Sequence, residues 1–335
     1  MNSFLDVLRR NGHVLHPGAR LVPMSGGVSS EIYLVEDGDK RYVVKRALAK
    51  LKVKDNWFAD VSRNASERDY IACVGGILPG VMPQLLFSSP EEGYFGMEYL
   101  GDGFSNWKAL LLAGDFRIRH AELAGNILGD IHRQTSNRDA LLQQFDTTAN
   151  FHQLRVDPYL LTTGSRHPAL QSAFDAEAQR IEATREVLVH GDFSPKNILI
   201  SGDRMVLLDC EVAWYGDATF DVAFLLNHFL LKSLLHAPQG SAAIDMADVF
   251  WRTYLQARAP VDAQSLQERL VPLLLMLLLA RVDGKSPVEY LAAPKQEFIR
   301  AFVRKHLFSP PDSLPGLCTL WSDSITASRF VEDKS

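Results

Sequence analysis

Between Val187 and Glu211 the chain reads VLVHGDFSPKNILISGDRMVLLDCE, with four polar side chains, His190, Asp192, Asn197 and Asp209, set between short apolar runs. VLV before His190, ILI at 198–200 and MVLL at 205–208 have the length and apolar content of buried strands. Ser201-Gly202-Asp203 between the last two is a tight turn by composition. Asp192 and Asn197 therefore lie on a loop that enters a hairpin, and Asp209 lies at its exit. Three oxygen-bearing side chains are expected to converge at one end of a small sheet. Hard cations such as Mg²⁺ take oxygen ligands and usually bind through one or two carboxylates together with substrate phosphates. One Asp or Asn in a turn is ordinary. This order of groups between three apolar runs is not expected of a plain turn.

HGDFSPKN and LLDCEVAWYGDATFDVA resemble the catalytic loop and metal-binding segment of the aminoglycoside phosphotransferase and choline kinase-like family, which shares the protein-kinase-like fold. The resemblance implies an α+β, bilobal chain. Residues 1–100 would form a small antiparallel-sheet lobe for nucleotide, and residues 101–335 a larger, mainly helical lobe for catalysis and the acceptor. It implies Asp192 as the catalytic base beside the acceptor hydroxyl, with Asn197 and Asp209 holding Mg²⁺ on the ATP phosphates. His190 is expected to shape the loop rather than move protons, and Glu211 to reach the metal through water. Asp221 would brace the catalytic loop, although a carboxylate in the first turn of a helix has its own electrostatic reason, and both can hold. The implied activity is ATP- and Mg-dependent transfer of the γ-phosphate to a hydroxyl of a small molecule: an aminoglycoside, an amino alcohol or a sugar-like compound. A methylthioribose-kinase-like sugar kinase is the alternative. A nucleotide-binding pseudokinase or regulatory module is the alternative of another class, and the presence of Lys45, Asp192, Asn197 and Asp209 together argues against it. No DFG and no APE-like segment follow Asp209, which argues against a protein kinase.

The elements that must position these groups begin upstream. LVPM, EIYLVE and KRYVVKR are three strands, the last two joined at Asp37-Gly38-Asp39, a good hairpin turn. The segment between the first two holds Ser25, Gly26, Gly27 and Ser29, where glycines let backbone amides approach a phosphate and serines add donors. It resembles the family's nucleotide-positioning loop without having GxGxxG or GxxxxGK[ST]. Lys45 ends an apolar strand and matches the kinase lysine on the α- and β-phosphates; a solvated edge lysine, or Arg46 in its place, are the competing readings. A helix is expected from near Ser62, where Glu67 is either the partner of Lys45 or a first-turn surface carboxylate. Residues 50–60 form a charged insert, read as a flap or a surface loop. QLLFSS and GYFGMEYL are two more strands, and Glu98 to Leu100 fall where the resemblance puts the adenine-binding hinge.

Beyond the hinge helices dominate: 106–112, 115–135, 168–184, one from near Phe220, then 242–258, 264–282 and 286–306. The stretch 138–164 reads as a short helix and loops. Ser286-Pro287-Val288-Glu289 has the form of a capping box opening the last helix. That reading leaves Arg281 and Asp283 unexplained, and both are candidate acceptor contacts. Trp214, Tyr215 and Trp251 are candidates for an aromatic cage or for core. The tail after about Ser309 is expected to be loosely packed.

With 335 residues, 47% hydrophobic and 22% charged, the chain has enough material for two lobes with real cores. A net charge of −5 and no Lys/Arg-rich run give no reason to expect nucleic acid or an anionic membrane as partner. Val271–Ala280 is the greasiest run, and ten residues fall short of the roughly 20 needed to cross a bilayer. The three separated cysteines suggest neither disulfides nor zinc, and with an N-terminus lacking a signal-like core they lead to the expectation of a cytoplasmic monomer or homodimer.

Overall fold

The computed structural model describes residues 3–24, 30–47, 63–328 and 330. The expected loop at Ser25, Gly26, Gly27 and Ser29 and the insert at 50–60 lie outside the described residues. Helix α1 (Phe4–Arg10) opens with a capping box in which the Ser3 hydroxyl accepts from the Asp6 amide and Asp6 reaches back to the Ser3 amide. It lays Leu8 against the small lobe's sheet. That sheet contains β1 (Arg20–Pro23), β2 (Ser30–Asp37), β3 (Lys40–Ala47), β4 (Leu85–Ser89) and β5 (Tyr94–Glu98). The order is β1-β2-β3-β5-β4 and every pairing is antiparallel. Strand β3 is central, paired to β2 through Ile32↔Lys45 and to β5 through Lys45↔Phe95. Helix α2 (Arg63–Ile77) crosses behind it. Asn64 Nδ2 donates to the Lys45 carbonyl at 3.4 Å, tying the helix start to the strand end.

The remainder is mostly helical. A short β6 (Ser105–Asn106) leads into α3 (Trp107–Leu112) and α4 (Ile118–Thr135). Residues 138–166 are more helical than expected: α5 (Asp139–Gln144), α6 (Thr148–Phe151), a π-helical run His152–Leu161, and α7 (Thr162–Arg166). Pro158 within it removes a backbone donor and breaks the usual periodicity, which hid the helix from a pattern reading. After α8 (Gln171–Ala183) come β7 (Val187–Val189), β8 (Ile198–Ser201), β9 (Arg204–Leu207) and β10 (Trp214–Gly216). The three apolar runs of the central stretch are strands as expected, but they do not share one sheet. β7 pairs with β10, while β8 pairs with β9 and β6.

Helices α9 (Ala218–Leu235), α10 (Ser241–Arg258) and α11 (Ala263–Asp283) form the core of the large lobe. Helix α9 is long and apolar enough to cross a membrane by composition, yet its residues are buried among the others, as is Val271–Ala280 in α11. The capping box expected at Ser286 is not formed. Arg281 takes both the Ser286 carbonyl, at 2.5 Å, and its hydroxyl, at 2.9 Å, while Glu289 is drawn to Lys108 at 2.6 Å. Helix α12 therefore starts later, at Ala293–His306. The tail is not loose either. Helix α13 (Leu314–Ala327) buries Leu314, Leu317 and Trp321, and the Trp321 indole donates to Ser233 Oγ at 2.9 Å. Trp214, Tyr215 and Trp251 are all buried core residues.

Candidate active site

The two lobes meet at a cleft of about 240 Å³. Ile32, Val43 and Met97 of the small lobe face Leu199 and Leu208 of the large one across it, a flat apolar slot suited to a planar ring. Glu98, Tyr99 and Leu100 close its back, and Lys45, Lys196, Asn197 and Asp209 line its polar end. The Glu98 amide already donates to the Gln84 carbonyl at 2.8 Å, and its carboxylate lies 3.3 Å from Arg204 of β9. That amide is therefore engaged within the small lobe, and the hinge's free polar groups must come from its other backbone atoms.

Lys45 is almost fully buried, so the solvated-edge reading fails; Arg46 is the exposed neighbour. Its ammonium lies 2.8 Å from Glu67, also buried, and 2.5 Å from Asp209 Oδ1. One bond crosses from α2 to β3 and the other from the small lobe to the large one. Burial works against the ammonium, but Asp209, Glu67 and Glu211 outweigh it and push Lys45 well above its usual range. Burial pushes Glu67 up to about 7, with Lys45 opposing and Asp209 and Glu211 adding to it. Three carboxylates thus act on Lys45, with Lys196 also acting on Asp209. Glu211 also lies 3.6 Å from Arg63.

Asp209 has φ = 64°, the left-handed region, which costs a non-glycine residue of order 1–3 kcal/mol and clusters at functional sites. The turn leaves Oδ1 on Lys45. Lys45 and Lys196 hold its carboxyl below the ordinary range although burial acts the other way. Asn197 is fixed beside it: the Leu208 amide donates to the Asn197 carbonyl at 2.9 Å, and Asn197 Nδ2 donates to the Asp192 carbonyl at 3.1 Å. With its amide nitrogen committed, Asn197 Oδ1 receives no hydrogen bond among the described residues. Asn197 Oδ1 and Asp209 Oδ2 make an all-oxygen donor set, which fits a hard divalent cation.

The loop carrying Asp192 is held from below. Asp221 accepts from the His190 amide at 2.7 Å and the Gly191 amide at 2.9 Å. Helix α9 puts Asp221 there because Asp217 caps its start through the Thr219 amide at 2.9 Å. Both readings of Asp221, brace and first-turn carboxylate, therefore describe its position. His132 Nδ1 bonds Tyr254 at 2.9 Å, and its Nε2 lies 3.6 Å from Asp221. Gly191 has φ = 77°, and a Cβ there would meet the Val212 carbonyl oxygen at 2.4 Å, so no other residue fits. His190 is buried, which lowers its pKa, and its Nδ1 accepts from the Asp192 amide at 3.2 Å. A neutral imidazole folded back on its own loop shapes that loop.

Asp192 itself is buried, with Oδ2 at 3.0 Å from both Arg155 and Lys196. Burial would raise its pKa; the two cations reverse that and hold it far below the usual carboxylate range. Sequence reasoning missed both partners. Lys196 sits inside the recognised motif, four residues after Asp192, and that spacing was its signal. Arg155 had none, because it comes from the π-helical run. Of the two candidate acceptor contacts, Arg281 turns to the catalytic end, its guanidinium 5.9 Å from the Tyr159 ring. Asp283 does not. Arg300 holds it bidentately at 2.8 and 2.9 Å and His167 Nε2 lies 2.8 Å away, so it ties helices together.

The chain is similar to known proteins in sequence and in fold. The methylthioribose kinase of Pectobacterium atrosepticum is 24% identical over 256 residues, 65% of this chain and 63% of that one. The N-acetylmuramate/N-acetylglucosamine kinase of Neisseria meningitidis serogroup B is 21% identical over 189 residues, 54% of each. The chain thus spans less than two thirds of the length of these curated relatives. Among solved structures, amicoumacin kinase hAmiN in complex with AMP-PNP, Ca²⁺ and Ami superposes with a TM-score of 0.59 at 14% identity, over 93% of this chain and 95% of that one. A microcompartment-associated aminopropanol kinase gives 0.55 at 15% identity, over 97% and 98%. Both share the fold. The model of the phosphotransferase enzyme family (APH) matches residues 20–263, well over half of the chain, and this protein belongs to that family.

Proposed function

We propose that the protein is an ATP- and Mg-dependent phosphotransferase that moves the γ-phosphate to a hydroxyl of a small molecule. The carrying observation is the pairing of buried Lys45 with buried Glu67 and with Asp209 at the cleft, beside Asp192 and Asn197. Phosphoryl transfer needs placement and charge neutralisation more than covalent help. ATP lies with its adenine in the apolar slot and its phosphates toward Lys45, which Glu67 holds in place. Asn197 Oδ1 and Asp209 Oδ2 would hold magnesium, whose charge would offset that of the phosphates, and Glu211, whose charge acts on Lys45, would reach it through water. Asp192 orients the acceptor hydroxyl. The acceptor oxygen forms a bond to the γ-phosphorus as the bond from phosphorus to the ADP oxygen breaks, and the hydroxyl proton passes to Asp192. With its pKa held so low, Asp192 is a weak base, so that proton moves late, once the oxygen has lost electron density. Asp221 and His190 keep the loop in shape. The AMP-PNP and Ca²⁺ named with the amicoumacin kinase support the nucleotide and divalent-metal parts of this reading.

ADP release with Mg²⁺ and a panel of hydroxyl compounds tests it. Asp192→Ala is expected to lower transfer by at least about 10²-fold while nucleotide still binds. Asp209→Ala is expected to weaken nucleotide binding only when Mg²⁺ is present. Nucleotide binding without any turnover would instead favour a regulatory module.

A further inference from the structure

Most basic side chains around the large lobe's catalytic end are matched by carboxylates. Lys108 lies 2.6 Å from Glu289, Lys285 2.5 Å from Asp157, and Arg155 and Lys196 share Asp192. Two are not. Arg281 donates only to neutral oxygens: the Ser286 carbonyl and hydroxyl, and Tyr159 Oη at 3.3 Å. Its Nε has no partner among the described residues. Lys232 is fully buried on α9, its Nζ lies 3.8 Å over the Tyr290 ring, and neither that Nζ nor the Tyr290 hydroxyl has a hydrogen-bond partner among the described residues.

These groups lie on a track leading from the catalytic aspartate. Arg155, 3.0 Å from Asp192, lies 6.0 Å from the Tyr159 ring, and Arg281 lies 5.9 Å from that ring. Tyr159 packs on Phe224 at 5.3 Å, and Phe224 on His228 at 6.0 Å. Phe224, His228 and Lys232 stand four residues apart, on one face of α9, so the face runs about 12 Å from the catalytic end toward Lys232. Burial, then Lys108 and Arg281, pull the Lys232 ammonium down to about 7, and Glu289, itself held by Lys108, does not offset them. Among the described residues, the carboxylate at the head of the track is Asp192, already held by two cations.

Building on the phosphotransferase reading, the geometry points to an anionic acceptor, whose carboxylate or phosphoryl group is taken by Arg281 and Lys232 while its hydroxyl meets Asp192. A guanidinium matches a planar carboxylate or a phosphate, and a nearby ammonium and phenol add donors. A polycationic acceptor would meet like charge here, and the carboxylates nearby among the described residues are already paired. A quaternary ammonium would find no aromatic cage in Trp214, Tyr215 and Trp251, which are core.

The test keeps one sugar scaffold and changes its charge. The full chain, saturated with AMP-PNP and Mg²⁺, is titrated calorimetrically with N-acetylglucosamine, N-acetylmuramate, N-acetylglucosamine 6-phosphate and glucosamine. The expected result is binding at least tenfold tighter for one or both anions than for the neutral and cationic sugars, the two anions separating carboxylate from phosphoryl recognition. Arg281→Gln and Lys232→Met are expected to remove that preference. Lys232→Met replaces a buried cation with an apolar chain of similar length, and circular dichroism checks its fold. No preference for either anion, tighter binding of glucosamine, or a preference that survives in both variants would overturn the inference. AMP-PNP binding is read first in the same cell, and ADP release from ATP and Mg²⁺ is then measured with whichever sugar binds, so failure of the kinase reading shows as absent nucleotide binding or absent turnover, apart from these outcomes.

Discussion

Asp192 sits between opposing influences. It is buried, yet two cations at 3.0 Å keep it ionised, and one of them, Arg155, also donates to the Gly191 carbonyl. Arg155 therefore sets the charge state of the proposed base as well as the path of its loop. Removing it should raise the Asp192 pKa, with Lys196 left alone to oppose burial. A carboxylate beside an arginine typically lies 1–3 units low, so the acid limb of ADP release against pH in Arg155→Ala should move up by about 1 unit or more. An unmoved limb would assign Arg155 to loop structure alone. The contrast between Arg155 and its neighbours shows what residue types reveal. His190, Asp192, Asn197 and Asp209 were legible because polar residues between strand-like runs are conspicuous. Lys45 was legible by its place at a strand end, and the choice at Glu67 between partner and surface needed burial to settle it. Arg155, on a run interrupted by Pro158, comes to Asp192 only through tertiary packing.

At the scale of elements, strands and long apolar helices were readable, because apolar periodicity reflects burial directly. Starts and ends were not. The Ser286 motif has every local feature of a helix start, yet Arg281 and Lys108 take its polar groups, so long-range charges override a local preference. Helix α13 was missed because its burial depends on a groove made by other helices. Helix α9 raises an energetic question. It carries Lys232 among apolar neighbours, with the pKa pulled to about 7 chiefly by burial. The unfolded chain holds that proton up to about 10.5, so between about 7 and 10.5 it binds more protons than the folded one. Stability should then rise with pH across that window and level off above it. At 1.36 kcal/mol per unit, the deficit at pH 7 is on the order of 4 kcal/mol. Lys232→Met removes the group, so its melting temperature should exceed that of the wild type most near pH 7, and the gap should close toward pH 10.5. A gap independent of pH would mean that packing, rather than charge, governs the site.

At the scale of the molecule, the division expected at residue 100 falls just after β5, but the apolar cores do not divide there. One cluster, built on Leu8, Val35, Tyr42 and Tyr94, stays within the small lobe. The larger cluster draws Tyr70, Ile71, Val74 and Phe95 from the small lobe into the core of the large one. Helix α2 thus packs with the large lobe while its Glu67 holds a lysine of the small lobe's central strand, and the Cys210 thiol reaches the Glu67 carbonyl at 3.6 Å. Closure of the cleft and packing of α2 are then a single event, and a ligand in the cleft should stabilise the whole chain rather than one lobe. At a nucleotide concentration of 100 times its Kd, the gain is about 2.7 kcal/mol. AMP-PNP with Mg²⁺ is expected to raise one cooperative melting transition by several degrees. AMP-PNP without Mg²⁺ should raise it less, and in Asp209→Ala the two should coincide. In Glu67→Gln, where the charge that holds Lys45 is gone, the nucleotide-dependent rise should shrink with or without the metal. Calorimetry that resolved two transitions, with only the first responding to nucleotide, would show that the small lobe closes on its ligand independently of α2. The Lys45–Glu67 bond would then be a local contact of the nucleotide site rather than the joint between the lobes.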